Sequence, residues 1–505
     1  MTLSNEDEEG VLELTSDTIA ESLLSRNYFP SHAADESEMP PSINAEGFGT
    51  ELLAEVAAAD AQTKRPYECM AYGLTRFDLS VRTAGIPHPT AYARLVQAIR
   101  DNWDKMKHVG TNPHSALRPM LRKDGRLFSM GYTDPRSTDF SAEAAERFGR
   151  KFVVKTDIKN FFPSIYTHAI PWALIGKAEA KATAGQQTWY NDLDANYRRC
   201  QRNQTNGLPI GPGTSSVGAE ILLHPVDTKL SEKGFGDFHR FIDDYTFYAD
   251  SYDEGQRFID ELSALLREFE LQINGAKTSI EMLPKVSRPR WLSQLVLARP
   301  KEISNKNELR AYLDLAIGLA SEEVGGSVLK YAIKALVPEQ QEPDTNDVLA
   351  RLILNLSFHR PGLMPLLNHV FTFSNKGAAP YESELNDLAA RAAVYGRSDA
   401  AAWAIHILLT AGCQVDNRVV DEILQRGDVV GLSLLHTNEV LSPAQIRTCI
   451  SAVREAQKGA LGTAWWLLEY VLGRSTHIKH RSQGLRLLSE ADVSFTHRVL
   501  PNTDQ

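Results

Sequence analysis

Three aspartates carry the clearest chemical pattern in this sequence. Asp243 and Asp244 stand side by side between two short runs that favour β-strands, in FHRFIDDYTFYADS from residue 238 to 251. Asp157 ends another β-branched, apolar run, KFVVKTD. Adjacent half-buried carboxylates repel one another and lose hydration unless something positive compensates. An Asp-Asp pair is also an ordinary turn dipeptide, so the surrounding sequence must decide between a structural turn and a cation-binding site.

Carboxylates at the ends of two neighbouring strands form a ligand set that suits Mg²⁺, because hard cations take oxygen ligands and share their coordination with phosphate and water. Two such ions about 4 Å apart activate an attacking oxygen and stabilise a leaving oxygen in phosphoryl transfer. The sequence therefore predicts two magnesium ions, with Mn²⁺ as the alternative metal, held by Asp157, Asp243 and Asp244.

The segments around the aspartates follow a definite order. The stretch LRPMLRKDGRLFSMGY, residues 117–132, predicts a hairpin that turns at Asp124-Gly125. GLPIGPGTSS, from residue 207, predicts a Gly/Pro loop that enters a helix. After the Asp-Asp hairpin come an amphipathic helix and the strand-like QINGAKTSIEML. Residues 50–110, by contrast, predict helices broken at GIPHPT.

These stretches together resemble the reverse transcriptases over roughly residues 115–290. FVVKTDIKNFFPSI resembles motif A, GLPIGPGTSS motif B, FIDDY motif C and LQINGAKT motif D, in the family's order. The resemblance implies that Asp157 and Asp243 hold both metals, that Asp244 assists, and that the carbonyl of Ile158 completes a coordination shell. Lys277 of motif D would place charge near the leaving pyrophosphate or donate its proton.

The same resemblance implies nucleotide-binding residues. Phe162 falls where reverse transcriptases keep an aromatic steric gate, so dNTPs are the expected substrates. Ile210 and Gly211 lie in the motif B loop, where Ile210 replaces the usual glutamine, and Phe241 replaces the usual tyrosine of motif C. Both departures concern the handling of template or nucleotide. The basic residues expected to neutralise the triphosphate are Arg122, Lys123 and Arg126.

The predicted fold class is α+β, a reverse-transcriptase fingers-palm domain followed by an all-α HEAT-like helical repeat domain. Strand patterns nearly vanish after about residue 300, where roughly ten helical patterns follow one another. The patterns show no exact repeat period, so a compact helical bundle is the alternative to HEAT-like stacking. We expect an acidic segment over 1–45 that is flexible apart from a short helix around Val11 to Leu24, fingers over 46–150, a palm over 151–298 and the helical domain over 299–505.

Composition and charge indicate the compartment and the binding partners of the protein. Residues 1–60 contain 14 acidic residues against the single Arg26, so a total charge of −10 leaves +3 for the other 445 residues, which can present basic grooves to nucleic acid. Four scattered cysteines and the lack of a membrane-length apolar run or leader predict a cytoplasmic protein without a membrane partner.

His477 and His480 are expected to be surface residues. Three arginines line either a nucleic-acid groove or a solvated loop: Arg198, Arg199 and Arg202.

No thumb pattern separates Lys277 from the helical region, and this arrangement resembles the bacterial abortive-infection polymerases among the defence-associated reverse transcriptases. That resemblance implies anti-phage defence, a homo-oligomer, and DNA synthesis without a conventional template. It also implies a tyrosine primer, so that a single-stranded DNA product stays attached to the protein. Tyr28 in the N-terminal segment is one candidate primer, and a buried site beside the helical domain is the other.

Two alternatives remain open at this point. The first is a retron-like reverse transcriptase that uses a noncoding RNA partner as primer and template. The second is an inactive palm that serves as a scaffold, against which the intact aspartates argue. Nucleotide cyclases also use palm carboxylates, but they lack the predicted fingers hairpin and motif B loop.

Overall fold

The structure, a computed structural model, describes residues 14–30, 38–60, 66–128, 140–286, 288–301, 303, 305–323, 327–337, 343–459 and 462–501. Its strands are β1 Met70–Thr75, β2 Val81–Ile86, β3 Phe152–Asp157, β4 Phe238–Phe241, β5 Asp244–Ala249 and β6 Ser279–Met282.

The helices before the last strand are α1 Ser16–Glu21, α2 Leu53–Ala58, α3 Pro89–Asp101, α4 Trp103–Met106, α5 Phe140–Arg147, α6 Phe161–Ser164, α7 Ala169–Ile175, α8 Lys177–Ala182, α9 Trp189–Arg199, α10 Gly213–Glu232 and α11 Tyr252–Glu268. The helices after it are α12 Arg290–Ala298, α13 Lys306–Glu322, α14 Val328–Leu336, α15 Pro343–His359, α16 Met364–Thr372, α17 Glu382–Val394, α18 Ser398–Thr410, α19 Asn417–Arg426, α20 Val429–Thr437, α21 Pro443–Lys458, α22 Trp466–Arg474 and α23 Gln483–Glu490. A π-helical turn over Ser22–Arg26 continues α1.

The larger sheet is antiparallel, with strand order β4-β5-β3-β6. Its central strand β3 is the β-branched run found in the sequence, and its residues Val153 and Val154 are buried against the core. Register pairs Phe152 with Ala249 at one end and Asp157 with Asp244 at the other. Helices α10 and α11 pack against each other, and α11 covers β3 and β5. The predicted order of elements in the palm is therefore confirmed.

A second hairpin, β1–β2, replaces part of the helical region predicted over residues 50–110. Met70 pairs with Ile86 and Thr75 with Val81. Gly73 lies so close to the helical domain that an added Cβ would be 2.0 Å from the carbonyl oxygen of Gly396. Packing against a distant part of the chain thus decides the strand conformation here, and local residue patterns do not show it.

The N-terminal segment is packed where the structure describes it, which corrects the expectation of a flexible segment over 1–45. Ile19, Leu23 and Tyr28 are fully buried. Their spacing places apolar side chains on one face of α1 and its π-helical continuation, and α1 packs against α3. Asp17 and Glu21 on α1 are exposed, so the negative charge of this helix did not prevent it from joining the core. The segment's remaining residues lie outside the described residues.

The predicted fingers hairpin forms a tight turn. The N–H of Arg122 donates to the carbonyl of Arg126 at 2.9 Å, and Gly125 at the turn has φ +80°. Regular strands are not formed within residues 117–128, and part of the predicted second strand lies outside the described residues.

The C-terminal part of the described chain is helical, as predicted, with local capping signals in place. Ser442 caps α21 and forms a capping box with Gln445. Helix α12 packs against α13 and α14, so helical packing begins at Arg290, ahead of the expected boundary at residue 299. Helix α17 contacts α18 and α19, and α20 contacts α22. The HEAT-like arrangement stays a prediction. Over the described residues, every helix is too short or too polar to span a lipid bilayer.

Candidate active site

The sheet brings the three predicted aspartates to one edge. Asp157 is the last residue of β3 and lies opposite Asp244, the first residue of β5. Asp243 lies in the turn between β4 and β5, and its carbonyl accepts a hydrogen bond from the N–H of Ile158 at 3.1 Å. Residues that are 86 or more positions apart in the sequence therefore meet at one place because β3 and β5 pair in antiparallel register.

The carboxylates at this edge strongly disfavour one another's ionisation. Partial burial, followed by the charges of Asp244 and Asp157, raises the pKa of Asp243 to about 7. Loss of hydration and the charge of Asp157 also raise the pKa of Asp244. Lys277 opposes both shifts. The edge thus holds more negative charge than its own residues neutralise, which favours a cationic ligand.

Asp157 is the most enclosed of the three, with 8% of its side chain exposed. Its Oδ2 accepts a hydrogen bond from Nζ of Lys277, and its Oδ1 accepts one from Nδ2 of Asn274 at 3.1 Å. The hydrogen bond from Lys277 to Asp157 is the main cause that raises the pKa of Lys277. The structure therefore brings Lys277 to the predicted cluster as a partner of Asp157. Sequence reasoning missed Asn274, although the Asn-Gly pair in QINGAKT marks a turn there.

The donor chemistry of this edge fits Mg²⁺ or Mn²⁺, because all of its candidate ligands are oxygens. The backbone bridge beside it uses the carbonyl of Asp157 and the N–H of Lys159, which leaves the carbonyl of Ile158 outside that bridge. Within the described ranges, side chains of three or more His, Cys, Asp or Glu residues do not converge as a ready metal site. A cation would have to compete with Lys277 for Asp157, whereas the repulsion at Asp243 and Asp244 favours its binding.

A buried polar network lies directly beneath the Asp-Asp turn, and sequence reasoning missed it. The guanidinium of Arg240, which is fully buried, donates to both oxygens of Glu220 at 2.8 and 3.0 Å and to Oδ2 of Asp227 at 2.8 and 3.0 Å. Tyr245 donates its hydroxyl to Oδ1 of Asp227 at 2.9 Å. The signal was present, since Glu220 and Asp227 are acidic residues spaced by seven in an otherwise apolar stretch of α10.

The motif B loop is tied to motif A and to the N-terminal segment. The carbonyl of Phe162, whose ring is half-buried, accepts a hydrogen bond from the N–H of Leu208 at 2.8 Å. Gly211 has φ +121°, and an added Cβ would lie 2.9 Å from Pro30. The N–H of Gly213 donates to the carbonyl of Asn27 at 2.6 Å. Phe162 and the loop therefore form one connected wall.

Ile210 contributes its backbone to this wall, because its carbonyl accepts a hydrogen bond from the N–H of Gly85 on β2 at 3.0 Å. Arg82, on the same strand, lies within electrostatic range of Asp243, whose charge favours the cationic form. Burial and the nearby Arg76 lower the pKa of Arg82. Arg82 is a candidate functional residue that the sequence could not indicate, because the hairpin that carries it was not predicted.

The other cations that the sequence predicted to bind the triphosphate or nucleic acid lie on the fingers turn and on or just after α9. Arg126 forms a 3.0 Å salt bridge with Asp124, and Arg122 is half-buried. Lys123 is exposed at the turn. Of the three candidate groove arginines, Arg198 pairs with Asp194 at 3.3 Å, Arg202 with Glu68 at 3.1 Å, and Arg199 donates to Asn196 at 3.2 Å.

His477 is exposed, as expected, whereas His480 is half-buried and packs on the ring of Tyr470, with centroids 5.6 Å apart. The prediction of a surface position was therefore wrong for His480. The reason is the close approach of its ring to Gly473, where no side chain keeps it away.

The solved structures that are similar to this chain include telomerases. The apo telomerase of Candida tropicalis truncated from its C-terminal domain is 11% identical, with a TM-score of 0.31 over 45% of this chain and 52% of that chain. The telomerase of Candida albicans in complex with the TWJ fragment of telomeric RNA is 12% identical, with a TM-score of 0.30 over 74% and 65%. The apo telomerase of Candida tropicalis is 10% identical, with a TM-score of 0.34 over 79% and 74%. This chain thus spans about half the length of the first of these structures.

A comparison with curated proteins finds no match. The family model described as reverse transcriptase (RNA-dependent DNA polymerase) matches residues 105–311, which include all four strands of the larger sheet and the three aspartates. The fold is α+β, with fingers and palm followed by a helical C-terminal region. Residues 105–311 are therefore similar to a reverse transcriptase domain, the domain described as an RNA-dependent DNA polymerase.

Proposed function

We propose that this chain is a DNA polymerase of reverse-transcriptase type that joins dNTPs to a hydroxyl group by metal-assisted phosphoryl transfer. The observation that carries this proposal is the pairing of Asp157 with Asp244 across β3 and β5, with Asp243 in the adjoining turn. Bound Mg²⁺ would supply the charge that activates the attacking oxygen and stabilises the leaving one. Mn²⁺ fits the same oxygen donors.

In this proposal Asp157 and Asp243 would hold the ions, and Asp244 and the carbonyl of Ile158 would supply further oxygen ligands. Lys277, which is 64% exposed, carries its ammonium group at the mouth of the site and offers it to the phosphates or the leaving pyrophosphate. Phe162 would exclude a ribose 2′-hydroxyl. The motif B loop at Ile210 and Gly211 would support the nucleotide from the opposite wall.

The triphosphate would bind to the cations of the fingers turn. Arg126 is held by Asp124, so its guanidinium already has a fixed position, and Lys123 is exposed beside it. Arg122 adds a third cation, and its Nε is buried without a hydrogen-bond partner within the described residues. An ionised phosphate would satisfy such a donor.

We further propose that the biological role is anti-phage defence by abortive infection, with a homo-oligomeric enzyme that primes from its own tyrosine and can work without a template. The support is the resemblance of the four motifs to reverse transcriptases, together with the direct passage from β6 through α12 into helical packing, which resembles the abortive-infection polymerases. A tethered hydroxyl does not have to be bound from solution, so it suits a palm that no thumb pattern follows in the sequence.

Tyr28 does not suit the role of primer. Its side chain is fully buried, its hydroxyl donates to the carbonyl of Pro87 at 2.5 Å, and burial raises its pKa well above the usual value. More accessible tyrosines within the described residues include Tyr252 and Tyr395, which are 53% and 54% exposed.

The experiment is incubation of the full chain with each labelled dNTP and Mg²⁺, without added nucleic acid, followed by a denaturing gel. Protein priming is supported if the label stays with the polypeptide after boiling in detergent and after RNase treatment. Protease should then convert the labelled product to a short peptide adduct. Label released by RNase supports RNA-primed synthesis with a noncoding RNA partner instead. No incorporation with any dNTP, primer or template would contradict polymerase activity and favour a scaffold.

A further inference from the structure

The turn that carries the catalytic aspartates contains a strained residue. Ile242, between β4 and β5, has φ +57°. Left-handed backbone is unfavourable for an L-residue and least favourable for a β-branched side chain such as isoleucine. Such strain persists only where the surroundings hold it, and it concentrates at functional sites.

Two hydrogen bonds fix the backbone of the turn. Nη1 of Arg240 donates to the carbonyl of Ile242 at 2.8 Å, and the N–H of Ile158 donates to the carbonyl of Asp243 at 3.1 Å. The first bond comes from a side chain that cannot move freely, because Arg240 also forms its four hydrogen bonds to Glu220 and Asp227. Every N–H of the guanidinium is then engaged.

The network reaches beyond the palm sheet. Nδ2 of Asn112 donates to Oδ2 of Asp227 at 2.8 Å, and the backbone of Arg240 bonds to His114 and Ala116 at 2.7 and 2.8 Å. Arg240 is thus anchored to α10 by its side chain and to the segment before the fingers turn by its backbone. Its link to the catalytic carboxylates runs through the backbone of Ile242.

We propose that Arg240 is a positioning residue, whose buried guanidinium holds Ile242 in its strained conformation and thereby aims Asp243 and Asp244 at a shared divalent cation. Lysine keeps the charge but lacks the planar fork, so it cannot serve Glu220, Asp227 and the Ile242 carbonyl together. The proposal rests on the proposed function only in assigning the carboxylates to metal binding.

The test measures Mn²⁺ binding to the full chain by isothermal titration calorimetry. Arg240→Lys is expected to weaken Mn²⁺ binding about tenfold, as loss of an outer support of metal ligands commonly does. Asn112→Ala is the matched control, because it removes a hydrogen bond from the same network without touching the turn. It should retain wild-type Mn²⁺ affinity. Wild-type affinity in a folded Arg240→Lys variant would overturn the proposal.

The variant Ile242→Gly tests whether Arg240 positions the turn or only stabilises the fold. Gly adopts φ > 0 without strain, so the turn should then need its anchor less. In the Ile242→Gly background, Arg240→Lys should weaken Mn²⁺ binding by less than about threefold, a non-additivity that marks coupled residues. An undiminished tenfold loss in that background would contradict the proposal.

If the Arg240→Lys variant shows no cooperative unfolding and so is not folded, Mn²⁺ binding is measured with Asp227→Asn instead. This variant keeps the guanidinium of Arg240 but removes the negative charge that accepts two of its N–H groups, so Mn²⁺ affinity should fall by less than the tenfold expected for Arg240→Lys. Unchanged Mn²⁺ affinity would overturn the proposal. A wild-type chain that binds Mn²⁺ but adds no dNTP would contradict the polymerase assignment alone. A wild-type chain that binds no Mn²⁺ would overturn both.

Discussion

The two β-hairpins of this protein are held in opposite ways. The hairpin β4–β5 is fixed from inside the palm by Arg240. The hairpin β1–β2 is fixed by the helical domain, because Asp399 accepts hydrogen bonds from the N–H and hydroxyl of Thr75, both at 2.7 Å, and Nη2 of Arg397 donates to the carbonyl of Leu79 at 3.2 Å. In the proposed function the first hairpin carries the chemistry, and the second connects the helical domain to the motif B loop through the hydrogen bond between Gly85 and Ile210.

The largest effect should come from the first hairpin. Asp243→Asn is expected to lower dNTP incorporation by about 1,000-fold or more, because it removes a charge that binds the divalent cations while leaving the shape intact. The measurement is single-turnover incorporation at saturating Mg²⁺.

Asp78→Asn in the loop of the second hairpin is the matched control, since Asp78 bonds only to Ser80 among the hydrogen bonds of the described residues. It should change the rate by less than about twofold, as most surface substitutions do. Equal losses in both variants would contradict the division of roles between the hairpins.

A second prediction concerns Phe162, whose carbonyl bonds to the motif B loop, the same loop that bonds to the second hairpin at Gly85. Phe162→Val should reduce the preference for dNTPs over NTPs by roughly 10–100-fold, because the smaller side chain leaves room for a 2′-hydroxyl. Competition between labelled ATP and dATP measures the preference.

Phe148→Val, at a residue that is 88% exposed, makes the same chemical change away from the site and should leave the preference unchanged. A wild-type enzyme that already accepts NTPs as readily as dNTPs would show that Phe162 is no gate.

The two hairpins also differ in how far the sequence could predict them. The strands β4 and β5 were predictable because β-forming residues flank an Asp-Asp turn, and the order of motifs placed Asp157 beside it. Arg240 was not predicted as an anchor, since its partners Glu220 and Asp227 lie on another element. For β1–β2 the deciding contacts are Gly73 with Gly396 and Thr75 with Asp399, which are more than 320 positions apart in the sequence. No local pattern reports such a contact.

The third prediction breaks the support of the second hairpin. Asp399→Ala leaves the N–H and the hydroxyl of Thr75 without their partner and should lower the free energy of unfolding by about 2 kcal/mol. Thr75→Val removes only the hydroxyl bond and should cost about 1 kcal/mol. Chemical denaturation monitored by circular dichroism measures both.

If β1–β2 positions the nucleotide loop, both variants should also raise the KM for dNTP, with Asp399→Ala the stronger, through the hydrogen bond between Gly85 and Ile210. An unchanged KM in a destabilised Asp399→Ala variant would show that the second hairpin stabilises the fold without acting on the site.

The smallest effect is a difference in pH dependence, because carboxylates of raised pKa lie at both hairpins, Asp243 and Asp244 at the first and Asp399 at the second. The pKa of Asp243 is about 7, from burial and its acidic neighbours, and that of Asp399 is about 6, from burial. Ionisation of either group in the folded protein is less favourable than in the unfolded chain. Each therefore lowers stability as pH rises from about 4 through its folded pKa.

Divalent metal should separate the two contributions. Without metal, the stability of the wild type should fall as pH rises from about 4 to about 7, with about 1 kcal/mol from Asp243 after allowance for solvent screening. Saturating Mg²⁺ stabilises the ionised form of Asp243 and should remove its share of the fall, while the share of Asp399 persists because Asp399 bonds to Thr75 rather than to the site. Calorimetry of wild type, Asp243→Asn and Asp399→Asn, each with and without Mg²⁺, measures both shares. A Mg²⁺ response that survives in Asp243→Asn but disappears in Asp399→Asn would reverse the roles assigned to the two hairpins.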